Sequence, residues 1–195
     1  MKICVYCASS HDVDHLYFKE TEVLARGFVQ HDIEVVYGGG AIGLMGRLAD
    51  TMLENGGKIK GVIPRFMHDL NWSHQEVADM VITETMHERK ALYLEGVDGI
   101  VALPGGSGTL EELLEVMTLK RLGQFSKPIM ILNTNGFYNG LRDLLEKCVD
   151  QNFMEKGDLH MWRYFDSPAG VLDYIISRKD PSTRNVNLPL GNYQK

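Results

Sequence analysis

The sequence predicts a doubly wound α/β fold, a parallel sheet with helices on both faces in a single domain, and three observations predict it. Short β-branched and apolar runs alternate with helical stretches along most of the chain. Those runs are apolar at successive rather than alternate positions, so both faces of each strand are covered, as in a parallel sheet. Two of them end in clusters of glycine that lead into helices, and in such sheets ligands bind at the carboxyl ends of the strands.

Taken in order, "KICVYCA" at 2–8 is the first strand and "IEVVYGGG" at 33–40 the second, running into the turn and helix start "YGGGAIGLMG". "KIKGVIP" at 58–64 is the third. The stretch 65–79, "RFMHDLNWSHQEVAD", is the least regular and reads as a loop or lid beside the glycine-bearing edge. "TETMHERKALYLEGV" at 83–97 is helical, with Thr85 and Glu88 as a capping box. "GIVALPGG" at 99–106 is the next strand, "SGTLEELLEV" the helix behind it, and "KPIMILN" at 127–133 the last clear strand. The domain is expected to span 1–180. The end, 181–195, carries two prolines and no periodicity, and reads as a loosely held tail or an arm on a partner.

Composition narrows the function classes. A chain of 195 residues, 44% apolar, holds one sizeable core. Its formal net charge of -6 offers no electrostatic reason to bind DNA, RNA or an anionic membrane. No apolar run approaches the roughly 20 residues that span a bilayer, and Ser9 and Ser10 interrupt the N-terminus too early for a signal peptide. Three cysteines are an odd set that suits a reducing compartment, so a cytoplasmic protein is expected. Cys4 and Cys7 spell C-x-x-C, but in a strand they point to opposite faces and read as buried side chains rather than a redox pair.

The two glycine turns are the first candidate site. Gly38, Gly40 and Gly43 match G-x-G-x-x-G between strand and helix, yet the dinucleotide reading wants an acid at the end of the next strand, where Pro64 and Arg65 stand. A single phosphate or nucleotide on backbone N–H groups fits better, with Gly39, Gly40 and Gly43 as binding residues; the plain alternative is tight helix packing. The second turn, Gly105, Gly106, Ser107, Gly108 and Thr109, presents several N–H donors at a helix start with Thr109 as N-cap. Two such turns on one sheet edge point to a phosphorylated small molecule.

Close behind stand Glu111 and Glu112. Thr109 and Glu112 form T-x-x-E, so one reading of Glu112 is a capping box. On a helical wheel Leu110, Leu113, Leu114 and Met117 form the core stripe, with Glu112, Val116 and Leu119 opposite. Apolar residues on that far side call for a cover, and a second copy of the chain is the simplest. Upstream, Arg89 and Lys90 flank the stripe of Met86, Tyr93 and Val97, where cations need a carboxylate or phosphate. Histidine spacing supports no metal site: His87–Glu88 would need histidine at position 91 to make H-E-x-x-H.

The combination "YGGGAIGLMG", "MHERK" and "PGGSGTLEE" resembles the Lonely Guy (LOG) family of cytokinin riboside 5'-monophosphate phosphoribohydrolases, from "CASS" to about residue 153. The resemblance implies a Rossmann-like nucleotide-binding catalytic domain without cofactor. It implies hydrolysis of the N-glycosidic bond of AMP or N6-substituted AMP to free base and ribose 5-phosphate. Arg89 and Glu112 match the family's essential arginine and glutamate. Lys90, the turn from Gly106 to Glu111, and Thr118 match substrate contacts, and Glu76 matches a loop glutamate across a shortened gap. "CASS", Ser107, Leu119 and Arg121 depart from the usual pattern. A homodimer with the site near the subunit interface is expected.

Read physically, breaking an N-ribosidic bond builds positive charge on the sugar, which a facing carboxylate stabilises while it orients or deprotonates water. The glycine turn would anchor the 5'-phosphate, Glu112 would address the ribose, and Arg89 would keep Glu112 ionised. A nucleotide-binding regulator of the same fold is the alternative, and a pyridoxal-phosphate decarboxylase is a third that rests on an older family label alone.

Overall fold

A computed structural model describes residues 1–179; the tail expected at 181–195 lies outside the described residues. The chain alternates β1 (Lys2–Tyr6), α1 (His15–Gln30), β2 (Glu34–Tyr37), α2 (Gly43–Glu54), β3 (Ile59–Pro64), α3 (Arg65–Asp69), β4 (Asp79–Thr83), α4 (Met86–Leu94), β5 (Gly99–Ala102), α5 (Ser107–Arg121), β6 (Ile129–Leu132), α6 (Asn139–Asp150), β7 (Arg163–Phe165) and α7 (Pro168–Lys179). The strands form one sheet in the order β4-β3-β2-β1-β5-β6-β7, with parallel pairing throughout.

The doubly wound α/β fold is therefore the observed one, and its five expected strands are present. Patterning missed β4 and β7. β4 begins with exposed Asp79 and is only half buried at the sheet's edge, so no fully apolar run marks it. β7 has only three residues. Of the stretch expected as a loop or lid, 65–69 is helical, and Ser73 then forms an antiparallel bridge with Gly40, tying the segment to the first glycine turn.

Two apolar layers sandwich the sheet. Leu24 and Phe28 of α1, Leu48 and Met52 of α2 and Ile175 of α7 pack with Val5, Val35 and Val101 on one face. Tyr93 of α4, Leu113 and Met117 of α5 and Leu145 of α6 pack with Tyr6, Val36 and Ile100 on the other. Full burial of one such leucine contributes about 1.5–3 kcal/mol. Cys4 belongs to the second layer and Cys7 to the first. Both are free and buried, and burial, ahead of neighbouring Glu112, pushes their thiols well up.

Helix α5 corrects the helical wheel. Its buried residues are Thr109, Glu112, Leu113, Val116, Met117 and Lys120, a stripe at i, i+3, i+4, i+7, i+8 and i+11. Leu114 is 41% exposed. Glu112 therefore lies on the buried stripe, and the sheet covers Val116. Leu119, with Leu110, packs partly against the same core. A second copy is not needed to cover these positions.

The strand order places the site. β1 lies between β2 and β5; the chain leaves β1 into α1 on one face and leaves β5 into α5 on the other. Oppositely directed exits open a crevice at the carboxyl ends of the strands. Both glycine turns and the loop after β1 meet there.

Candidate active site

The first glycine turn is closed by packing. Gly39 and Gly43 take φ of 73° and 66°, a region that side chains other than glycine enter at a cost. A methyl group on Gly43 would lie 2.5 Å from the Ser9 carbonyl carbon and the Ser10 oxygen, and one on Gly39 3.0 Å from Ile63 Cβ. Gly40 is bridged to Ser73, and the Gly39 carbonyl accepts from the His74 amide at 2.9 Å. Of the first amides of α2, that of Met45 already donates to the Ala8 carbonyl at 3.1 Å. The packing role weighed for these glycines is thus present. The closeness of Gly43 also brings Ser9 and Ser10 to the edge, two exposed hydroxyls that the sequence marked only as polar.

The second turn is open. Gly106 is the N-cap of α5, without a capping side chain, so the first-turn amides have no partner within the helix. A methyl on Gly106 or Gly108 would meet nothing within 4 Å, and Ser107 is exposed. Thr109, expected as the N-cap, is instead inside the helix and buried, its side chain against Gly105. The capping-box reading of Glu112 falls with it, because the helix starts earlier. The Thr85–Glu88 box of α4 is present as expected.

Arg89 and Glu112 come together beneath these turns, 5% and 8% exposed. Arg89 Nε donates to the Val62 carbonyl at 3.1 Å and Nη2 to the Gly38 carbonyl at 3.0 Å. Its guanidinium also lies over the Tyr93 ring, 5.2 Å from the centroid. Arg89 and Tyr93 share one face of α4 at i, i+4 spacing, so the arginine is on the apolar stripe rather than at its edge. Arg89 Nη1 is 3.7 Å from Glu112 Oε1. Burial pushes the Glu112 carboxyl up to about 7, Arg89 only partly opposing it and Glu111 adding to it. Arg89 favours the ionised carboxylate, the direction expected of it, while desolvation by burial is the larger effect.

Lys90 sits at the same helix–helix seam. Its Nζ donates to Glu111 Oε1 at 2.6 Å and pairs with Glu115 Oε1 at 3.1 Å, and the Glu111 bond first among its causes raises the ammonium's pKa. Two expected contacts stand apart. Thr118 is exposed and bonded to the Leu114 carbonyl at 2.8 Å, nearly two turns along α5 from Glu112. Glu76 precedes β4 and lines a cleft with Glu34, Lys58 and Asp79 at the amino end of the strands, opposite the glycine turns. The chain runs down the sheet from Ser73 to Asp79, which carries Glu76 away from the edge. Among the described residues no group of three or more His, Cys, Asp and Glu is placed to hold a metal.

The fold and its open, anion-ready helix start define a Rossmann-like protein with a buried arginine–glutamate pair at the ligand edge. A family model described as "possible lysine decarboxylase" matches residues 45–175. The cytokinin riboside 5'-monophosphate phosphoribohydrolase LOG5 of Arabidopsis thaliana is 39% identical over 161 residues, 83% of this chain and 71% of that protein. The probable enzyme of the same name, LOGL2 of Oryza sativa subsp. japonica, is 38% identical over 174 residues, 89% of this chain and 71% of that one. The chain belongs to the LOG family.

Among solved structures, the molybdenum cofactor carrier protein of Chlamydomonas reinhardtii superposes with a TM-score of 0.68 at 19% identity, covering 90% of this chain and 96% of that one. The molybdenum cofactor binding protein of Rippkaea orientalis gives 0.66 at 17% identity, covering 92% and 97%. At these identities the likeness is one of fold. No helix among the described residues is long and apolar enough to cross a membrane.

Proposed function

We propose that this chain hydrolyses the N-glycosidic bond of AMP or an N6-substituted AMP, consuming one water and releasing free base and ribose 5-phosphate. The observation that carries this is the placement of Glu112, a buried carboxyl 3.7 Å from Arg89 and directly behind an open N–H turn. Relatives named as cytokinin riboside 5'-monophosphate phosphoribohydrolases support the substrate class.

In this reading the 5'-phosphate docks on the turn from Gly105 to Thr109, at the positive end of α5, with Lys90 exchanging Glu111 for phosphate. The ribose then faces Glu112. As the C1'–N bond breaks, its electron pair goes to the base and positive charge grows on the sugar, which the carboxylate stabilises. Glu112 takes a proton from water, the hydroxyl adds to C1', and that proton then passes from Glu112 to the departing base nitrogen, which restores the carboxylate. A carboxyl near the working pH suits general-base duty. Arg89, fixed by two carbonyls, offers a cation to phosphate or ribose without moving.

We further infer a cytoplasmic homodimer. The three free cysteines support a reducing compartment. Leu114 and Leu122, 41% and 59% exposed on the outer face of α5 beside Thr118, support pairing through that helix, and size-exclusion chromatography with light scattering tests it. The activity is tested by incubating purified protein with AMP, isopentenyl-AMP, GMP and CMP and separating free base and ribose 5-phosphate by chromatography. Release of adenine or its N6-substituted form is expected. Intact nucleotides with AMP bound would make the chain a nucleotide-binding regulator instead.

A further inference from the structure

We propose that His74 is a positioning residue for the reaction: hydrogen-bonded to Asp50 on α2, it holds the turn after β2 in the shape that fixes Arg89 against Glu112. This rests on the phosphoribohydrolase reading and adds to it a pair of residues that touch no substrate.

The turn has few means of holding its own shape. Gly38, Gly39 and Gly40 carry no side chains, and Gly39 stands at a φ of 73°, so neighbouring segments must fix the direction of the Gly38 carbonyl. That direction matters because this carbonyl is one of the two that hold the Arg89 guanidinium, 3.0 Å from Nη2. The segment alongside supplies the constraint. The Ala41 amide donates to the Trp72 carbonyl at 3.0 Å, Ser73 bridges to Gly40, and the His74 amide donates to the Gly39 carbonyl at 2.9 Å. His68 Nδ1, 3.0 Å from Ser73 Oγ, ties the bridge to α3.

That segment in turn needs an anchor. Asn71, Trp72 and Gln75 are exposed, and the bridge to Gly40 stands outside the named strands. The His74 side chain is buried, 8% exposed, and bonded at both ring nitrogens. Its Nε2 lies 2.9 Å from Asp50 Oδ1, and its Nδ1 accepts the Glu76 amide at 3.3 Å. An accepting Nδ1 leaves the proton on Nε2, so these partners assign the neutral Nε2–H tautomer, which donates to Asp50. Asp50 sits on α2, the helix that follows the same turn. The bond therefore closes a loop that runs from the turn through α2 and Asp50 to His74 and back to Gly39. Breaking it frees the Gly38 carbonyl, and with it the guanidinium that stands 3.7 Å from Glu112.

The test is kcat/KM for AMP as a function of pH in the full chain and in Asp50→Ala, His74→Ala, the double variant and Asp50→Asn, each assayed below its melting temperature. Asp50 is 50% exposed, so its removal spares the core and keeps the test valid should His74→Ala fail to fold. A displacement of about 1 Å near the chemistry costs on the order of a hundredfold, and the two alanine variants should each lose roughly ten- to a hundredfold in kcat/KM. Because both break one bond, the double variant should fall no further than His74→Ala. Asp50→Asn keeps an accepting oxygen and should retain the wild-type rate.

A residue that only props the fold would leave the pH profile where it is. Arg89 favours the ionised Glu112, so a guanidinium that drifts away should carry the inflection above the about 7 of the native carboxyl. Lys90, Glu111 and Glu115 also act on that carboxyl, and Cys4, Tyr6, Cys7 and Tyr93 face it; the substitutions leave all of them in place. A folded Asp50→Ala chain with the wild-type inflection, whatever its Tm, overturns the positioning role and leaves the hydrolase standing. A wild-type chain that releases no base overturns both.

Discussion

Arg89 Nη1 and Glu112 Oε1 face each other at 3.7 Å, just beyond hydrogen-bonding reach. The arginine's stronger bonds go to the Val62 and Gly38 carbonyls. The carboxylate therefore has a cation nearby without being tied to it, and burial can push its proton affinity up. That looseness leaves Glu112 free to hold or take a proton at the working pH, and the first three predictions follow from it.

The pH profile should show it. A general base works only when ionised, so kcat/KM for AMP should be flat above pH 7 and fall about tenfold per unit below it, with an inflection near the about 7 of the Glu112 carboxyl. Initial rates across that range measure the inflection. The substrate's phosphate titrates at about 6, so an inflection there instead would assign the profile to the ligand.

Stability should move the other way. The Glu112 carboxyl is raised from 4.5 to about 7 in the folded chain, so between those values the native state binds more protons than the unfolded one. Stability is then fully present below the unfolded value and is lost as pH rises through 7. Glu112→Gln removes this dependence. Its unfolding free energy relative to wild type should be greater at pH 8 than at pH 4.5, by on the order of 3 kcal/mol of linkage, with Tm shifting in the same direction, while base release is abolished. Equal Tm differences at the two pH values, or retained turnover, would sink the assignment.

Arg89→Lys tests the geometry of the cation rather than its charge. One ammonium cannot span the Val62 and Gly38 carbonyls as a planar fork does. Leaving buried carbonyls without a donor costs about 1–3 kcal/mol each. Both Arg89→Lys and Arg89→Ala should lower Tm and cut kcat/KM sharply, the alanine variant more. Wild-type kcat/KM in the lysine variant, measured on AMP, would show that charge alone suffices.

The glycine turns were legible as motifs but not as different surroundings. "YGGGAIGLMG" and "PGGSGT" both announce a strand running into a helix, because that turn needs small residues. What closes one and leaves the other open comes from distant segments: Ser9 and Ser10 after β1, Ile63 in β3, Ser73 across the bridge. The sheet was readable for a related reason, since β1, β2, β3, β5 and β6 are buried on both faces over most of their length and so carry largely apolar runs, interrupted only by residues such as Glu34 and Lys60, whereas the edge strands β4 and β7 do not. Glu112 was misplaced on the wheel because its stripe includes a carboxylate and Lys120, whose ammonium bonds the Lys127 carbonyl at 2.5 Å and is lowered by burial to about 8. Hydrophobic periodicity cannot count buried charges as buried.

That difference between the turns gives a paired substitution test. Gly43→Ala puts a methyl group 2.5 Å from the Ser9 backbone at a φ of 66°, and strain of this kind costs of order 1–3 kcal/mol. Gly106→Ala enters open space at φ -83°, so Tm should hold while the methyl crowds an incoming phosphate and weakens ribose 5-phosphate. Thermal melts and calorimetry on the two variants read both effects. A Gly106→Ala chain that binds ribose 5-phosphate as wild type does would remove the β5 turn from the site.

Tyr138 positions that turn from behind. Its hydroxyl, on a residue 1% exposed, donates to the Leu103 carbonyl at 2.7 Å, and its amide donates to Asn133 Oδ1 at 2.7 Å. Leu103 in turn donates its amide to the Tyr6 carbonyl at 2.8 Å. The entry to the β5 turn is thus fixed on one side by the sheet and on the other by Tyr138. Tyr138→Phe keeps the ring and removes one donor, leaving a buried carbonyl unsatisfied at about 1–3 kcal/mol, so Tm should fall. Because the turn holds the phosphate in ground state and transition state alike, loss of positioning should raise KM for AMP several-fold and leave kcat unchanged. Product inhibition by ribose 5-phosphate should weaken by the same factor. A lower Tm with unchanged KM would make Tyr138 a prop of the core with no part in holding the turn.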